Sequence, residues 1–169
     1  VRPSAGIITN IGESHLEFLK NTAGVAKEKS GLFEGMNSGS NVVIPDSLSH
    51  LDLVEEAAAK AGVRITKTAQ ISEKIQTGKN KFQLFEKEFE NSIDSPLLRQ
   101  NLVLALTLLY LEGVAVSDLQ SASSSLDISV EGRFKQIYKE DWILIDDTYN
   151  ANPSSFKSVL ENLNNMYPE

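Results

Sequence analysis

The sequence predicts an α/β fold: part of a mostly parallel, helix-flanked sheet with an antiparallel hairpin, followed by the first strands and helix of a second unit. Three observations predict it. Short β-branched apolar runs alternate with helical stripes over residues 6–66, the order that builds a parallel sheet covered by helices. Apolar and polar residues then alternate through residues 71–85, as an antiparallel hairpin requires. Beyond a Ser-rich stretch, two further strand patterns lead through a polar loop into a last helix.

Gly6-Ile7-Ile8-Thr9 reads as a buried strand ending in Asn10-Ile11-Gly12. Asn21-Thr22 can cap a helix running to about Phe33, with Val25, Lys29 and Leu32 on one stripe and Gly31 and Gly35 closing it. Val42-Val43-Ile44 is a second buried strand, stopped by Pro45. Ser47 or Ser49 then caps a helix whose Leu51, Val54, Ala58 and Ala61 share one face, and Gly62 ends it before the strand Val63–Thr66. The hairpin is expected from Ile71–Gln76, the turn Thr77-Gly78-Lys79-Asn80 and Phe82–Phe85. Ser95 or Pro96 opens a strongly apolar helix to about Glu112, and Gly113 closes it. Ser117 caps a short helix, Asp118–Ser125, whose Ser121–Ser125 is the expected linker. Arg133–Tyr138 and Trp142–Ile145 are strands, and Pro153 occupies the first helical position of the last helix, which reaches about Met166. A domain boundary is expected near Ser129–Glu131, dividing the chain into residues 1–129 and 130–169.

Composition excludes several classes. The 169 residues carry a net charge of −7 and no dense Lys/Arg cluster, which argues against a nucleic-acid surface. There are no cysteines, so disulfides, thiolate metal sites and cysteine nucleophiles are excluded. The chain therefore suits a reducing cytoplasm. Its longest apolar stretch, Leu102–Leu111, is too short to span a membrane. Val1-Arg2-Pro3 has no initiator Met, and Tyr167-Pro168-Glu169 follows directly on a helical pattern, so the sequence reads as a fragment of a longer chain.

Candidate residues gather at strand ends, where parallel sheets bind ligands. His15 follows the first strand, although spacing alone favours a loop histidine bonded to backbone. His50 reads as a solvent-exposed residue at a helix start. Lys29 lies on an otherwise core-facing stripe, whereas Lys27 points toward solvent. A buried ammonium is costly, so Lys29 either snorkels or has a task. Asp146-Asp147-Thr148-Tyr149-Asn150-Ala151-Asn152-Pro153 is the densest polar cluster, placed between a strand and a helix N-terminus where a phosphate-bearing ligand can be met. Arg133 after Gly132 offers a planar fork of donors for phosphate, and Asn101 near the start of an apolar helix can read a base edge. The P-loop pattern is absent: Gly78-Lys79 is followed by Asn80, and Glu73 stands where the first glycine belongs.

Four strings in order resemble the Mur ligase family. They are Thr9-Asn10-Ile11-Gly12-Glu13-Ser14-His15-Leu16-Glu17, Ala26-Lys27-Glu28-Lys29-Ser30-Gly31-Leu32-Phe33, Gly132-Arg133-Phe134 and Asp146–Ser154. The last resembles the subtype that adds D-alanyl-D-alanine to UDP-N-acetylmuramoyl-tripeptide. The resemblance implies a P-loop-type central domain whose P-loop part is missing here, followed by the beginning of a Rossmann-like C-terminal domain. It implies a bacterial, cytoplasmic, ATP- and magnesium-dependent ligase of peptidoglycan precursor synthesis. ATP would phosphorylate the tripeptide carboxylate, and the dipeptide amine would attack the acyl phosphate. By motif position, His15 would be a magnesium ligand and Lys29 would react with carbon dioxide to form a carbamate ligand. Asn101 would contact adenine, Arg133 the ATP phosphates, Asp147 the ribose or nucleotide edge, and Tyr149, Asn150 and Asn152 would line the cleft between domains. The isolated chain is expected to be inactive.

The sequence departs from the family at Leu97-Leu98, where the pattern has His-Asn before the position of Asn101. Two rival readings follow. Glu28-Lys29-Ser30-Gly31 also resembles the lysine stretch of folylpolyglutamate synthase, and the Leu97-Leu98 departure suits a non-catalytic nucleotide-binding relative.

Overall fold

The structure, a computed structural model, describes residues 2–13, 16–68, 80–93, 95–126, 131–149 and 153–167. Its first unit is a three-stranded parallel sheet in the order β1 (Ala5–Ile7), β2 (Asn41–Pro45), β3 (Arg64–Thr68). Gly6 sits opposite Val42, and Val42 opposite Ile65. Val42, Val43 and Ile44 are all fully buried, which marks β2 as a strand covered on both faces.

Alternation along β2 assigns the faces. Val42 and Ile44 join a core with Val25, Ala26, Phe33, Val54 and Ala58. These come from α2 (Thr22–Ser30), the 3₁₀ turn Gly31–Gly35 and α3 (Leu51–Ala61). The other face is covered by α4 (Pro96–Leu111), which contacts all three strands. Through Leu102, Val103 and Leu106, α4 also holds Phe82, Leu84 and Phe89 of a hairpin and Leu119 of α5 (Val116–Ser125). A short helix, α1 (Leu16–Leu19), precedes α2.

The hairpin pairs differently from the sequence expectation. Its strands are β4 (Lys81–Leu84) and β5 (Lys87–Glu90), with Phe82 opposite Phe89. The expected partner strand, Ile71–Gln76, lies outside the described residues. The turn is Phe85-Glu86, with φ of 52° and 59°, the two left-handed residues that a tight hairpin of type I′ demands. Phe85 stacks on Tyr110 at 4.1 Å between ring centroids, a contact that compensates its backbone strain.

Helix ends bring further corrections. α2 is capped by Asn21 as expected, but gives way after Ser30 to the 3₁₀ turn. Neither Ser47 nor Ser49 caps α3; His50 takes that place in the left-handed region, with φ of 55°. His50 is half-buried rather than exposed, and its Nε2 lies 2.8 Å from the Thr22 hydroxyl, tying the starts of α2 and α3 together. Ala115, not Ser117, stands at the start of α5, and the expected linker Ser121–Ser125 is its last turn and a half. There Ser123 is fully buried and donates to the Glu90 carbonyl (2.8 Å).

The remaining strands, β6 (Lys135–Tyr138) and β7 (Ile143–Asp146), form an antiparallel pair, and α6 (Pro153–Met166) follows. Buried Asn162 of α6 donates to the Ser95 hydroxyl (2.7 Å), the side chain that caps α4. The expected domain boundary falls mostly on residues 127–130, outside the described residues.

Candidate functional site

The carboxyl end of β1 is where the first candidate group assembles. The Ile8 amide donates to the Val43 carbonyl (3.2 Å), prolonging the strand pairing, and Ile8 and Ile11 are buried. These anchors leave Thr9 and Asn10 facing outward between them. α2 then brings Lys29 to the same spot. Its first turn is fixed by the Gly24 amide donating to the Asn21 side chain (2.9 Å) and by close approach of α1. A Cβ on Gly24 would lie 2.0 Å from the Leu19 carbonyl oxygen.

With Val25 and Ala26 buried against the sheet, Lys29 emerges half-buried at the edge of the core, while Lys27 is exposed. The Lys29 ammonium donates to the Asn10 carbonyl (2.6 Å) and to Asn10 Oδ1 (3.1 Å). Both acceptors are neutral, so no negative charge in this contact offsets the lost hydration. Burial accordingly lowers the Lys29 pKa from its ordinary value. A lowered pKa makes the neutral, nucleophilic amine easier to reach. His15, the companion expected here, lies outside the described residues. Among the described residues no three His, Asp or Glu side chains converge as a metal site.

The second group is a knot between the start of β6 and the loop after β7. Gly132 has φ of 70° and is buried. Its amide donates to Asp146 Oδ2 (3.1 Å), and its carbonyl accepts from the Tyr149 amide (2.9 Å). The Phe134 amide donates to Asp147 Oδ1 (3.0 Å). Asp146 Oδ1 accepts from the Thr148 hydroxyl (2.7 Å) and amide (3.2 Å). The Thr148 hydroxyl is the main cause holding the Asp146 carboxyl below its usual range. The Arg133 guanidinium carbon lies 4.2 Å from the centroid of the Tyr149 ring. Asn150 and Asn152 lie outside the described residues.

Asn101 is half-buried in the second turn of α4, the helix that covers the sheet. No hydrogen bond or ion pair among the described residues links it to Lys29 or to the Arg133 knot. The roles of Asn10 as the acceptor for Lys29, and of Asp146 as the tie for Gly132, escape sequence reasoning. Both residues stood within the quoted motifs, but only the fold shows which partner each takes.

A helix-flanked parallel sheet with a perturbed lysine at a strand's carboxyl end has the layout of α/β ligand-binding domains. The chain belongs to the Mur ligase family: the Mur ligase middle domain matches residues 1–111. It is 28% identical to the UDP-N-acetylmuramoyl-tripeptide–D-alanyl-D-alanine ligase of Haemophilus influenzae, across 95% of this chain and 37% of that one. The enzyme of the same description from Escherichia coli K12 is 27% identical, across 98% of this chain and 39% of the relative. Among solved structures, MurF from Acinetobacter baumannii superposes with a TM-score of 0.80 at 22% identity, over 96% of this chain and 37% of that chain. The apo form of L. casei FPGS superposes with a TM-score of 0.74 at 14% identity, over 100% of this chain and 44% of the other. The chain thus spans a little over a third of the length of the curated relatives it matches.

Proposed function

We propose that this chain is part of an ATP-dependent ligase that joins D-alanyl-D-alanine to UDP-N-acetylmuramoyl-tripeptide in the bacterial cytoplasm. The observation that carries this reading is Lys29: a half-buried lysine whose pKa burial lowers, held by Asn10 at the end of a parallel strand. Similarity to two enzymes of that description supports the substrate pair. A MurF from Thermotoga maritima solved in complex with ADP shares the fold (TM-score 0.71, 22% identity, 95% of this chain and 39% of that one), which suits ATP as the energy source. Residues 1–129 form part of the central domain in this reading, and 130–169 the beginning of the C-terminal one.

The residues fit magnesium through a change at Lys29. An ammonium repels a cation. The neutral amine can instead attack carbon dioxide, forming a C–N bond and releasing one proton, and the resulting carbamate offers hard oxygen donors. Lys29 as carbamate, together with His15, would hold the ion, which supplies charge neutralisation for the oxygens of phosphoryl transfer when bound. Arg133 presents its donors to the ATP phosphates. Asn101, Asp147 and Asn150 would contact the nucleotide in this reading, and Asp147 already has one oxygen engaged by the Phe134 amide. The tripeptide carboxylate takes the phosphoryl group, and the dipeptide amine displaces it as inorganic phosphate.

The test is phosphate release by the whole protein that carries this sequence. Release that requires ATP, magnesium, the UDP-tripeptide and D-alanyl-D-alanine together is the expected result. Release with a folate and glutamate instead would transfer the protein to the chemistry of the FPGS-like neighbours. Silence with both sets would leave a non-catalytic relative.

A further inference from the structure

We infer that Tyr149 is a positioning residue for Arg133: its ring holds the guanidinium in place so that the N–H edge is presented to an anionic group of the nucleotide. The inference rests on the proposed role of Arg133 and goes beyond it.

The ring itself needs an explanation. Tyr149 is 69% exposed, so its aromatic surface gains little from burial. On that surface lies the Arg133 guanidinium carbon, 4.2 Å from the ring centroid. Arginine is long and rotamer-rich, and fixing it costs entropy each time a ligand is bound. A guanidinium over a ring face is attracted by the ring's quadrupole while its N–H edges stay available to an anion. Among the described residues no carboxylate pairs with Arg133, so those donors are not already spent on an ion pair.

The backbone makes the pairing rigid. The Tyr149 amide donates to the carbonyl of Gly132, the neighbour of Arg133 (2.9 Å). The two backbones approach so closely that a Cβ on Gly132 would stand 3.0 Å from the Tyr149 nitrogen and 3.2 Å from its Cβ. Gly132 also has φ of 70°, which a side chain would strain. Arginine and tyrosine therefore leave adjoining, hydrogen-bonded pieces of backbone, and their stacking follows from that register rather than from chance contact between mobile side chains.

The experiment is a double-mutant cycle on ATP affinity in the whole protein, read by calorimetry and by the KM–kcat split. Tyr149→Leu is expected to weaken ATP binding by about twofold to fivefold, the worth of an exposed cation–π contact, and to raise KM with kcat nearly unchanged. Tyr149→Phe, which keeps the ring, recovers the affinity that leucine loses. In an Arg133→Ala background the Tyr149→Leu change has no further effect. A full Tyr149→Leu effect in that background would show that the ring acts without Arg133 and would overturn the inference. Wild-type affinity in Arg133→Ala would overturn both the inference and the role of Arg133. Weakened binding in Arg133→Ala with no effect of Tyr149→Leu would overturn the inference alone.

Discussion

At the scale of single residues, the chemistry rests on which partners surround a charge. Lys29 has two neutral acceptors and partial burial, so its positive form is disfavoured, whereas an ordinary structural lysine would face a carboxylate, as Lys81 faces Glu88 and Glu90. Asp146 is the opposite case. Hydrogen bonds from Thr148 and Gly132 favour its ionised form and lower its pKa. A carboxyl lowered in the folded state contributes stability above its unfolded pKa, and that contribution is lost as pH falls through the folded value. Asp146→Ala should therefore lower the melting temperature at neutral pH and flatten its decline on acidification, checked by thermal melts from pH 7 downward. An unchanged acid profile would remove Asp146 from the knot. Lys29 stood out in the sequence as a lysine on an apolar stripe, where a snorkelling side chain is the simpler explanation, and the motif resemblance singled it out. Asn10 and Asp146 were not, because a hydrogen-bond partner 19 or 14 residues away leaves no local signal.

At the scale of elements, strand and helix periodicities located most of the described segments but missed α1 and β5, and the failures have physical causes. The hairpin turn lacks the Asn-Gly or Asp-Gly signal and uses Phe85-Glu86, whose left-handed backbone is accepted because Phe85 stacks on Tyr110. Ser121–Ser125 reads as a linker by composition, yet it is helical because Leu119 and Ser123 are buried against the hairpin and α4. Glycines in α2 and its continuation separate packing from propensity. Gly24→Ala would press a methyl against the Leu19 carbonyl at 2.0 Å, and should cost about 1–3 kcal/mol as overpacking. Gly31→Ala meets nothing within 4 Å and has φ of −56°, so it should stabilise by about 0.4–1 kcal/mol through the unfolded chain. Thermal or urea melts of the two variants decide this, and equal destabilisation would refute the account of the α1–α2 junction.

At the scale of the molecule, β2 is buried on both faces while the residues after β1 supply a polar end, so the sheet fixes the edge where Asn10 stands and α2 delivers Lys29 to it. α4 links that sheet to the hairpin, and the Asn162–Ser95 hydrogen bond brings α6 onto the start of the same helix. Family and fold could be read from four short strings, which stand after β1, across the end of α2, before β6 and between β7 and α6. How Lys29, Asn101 and Arg133 are arranged relative to one another depends on long-range packing, which no string encodes. The most direct measurement of the central claim is phosphate release by the whole protein with Lys29→Ala and Lys29→Arg, beside their melting temperatures. The account predicts a loss of about a hundredfold or more in both variants, with folding intact, since arginine keeps the charge but cannot take up carbon dioxide. Activity within a fewfold of wild type in either variant would contradict it.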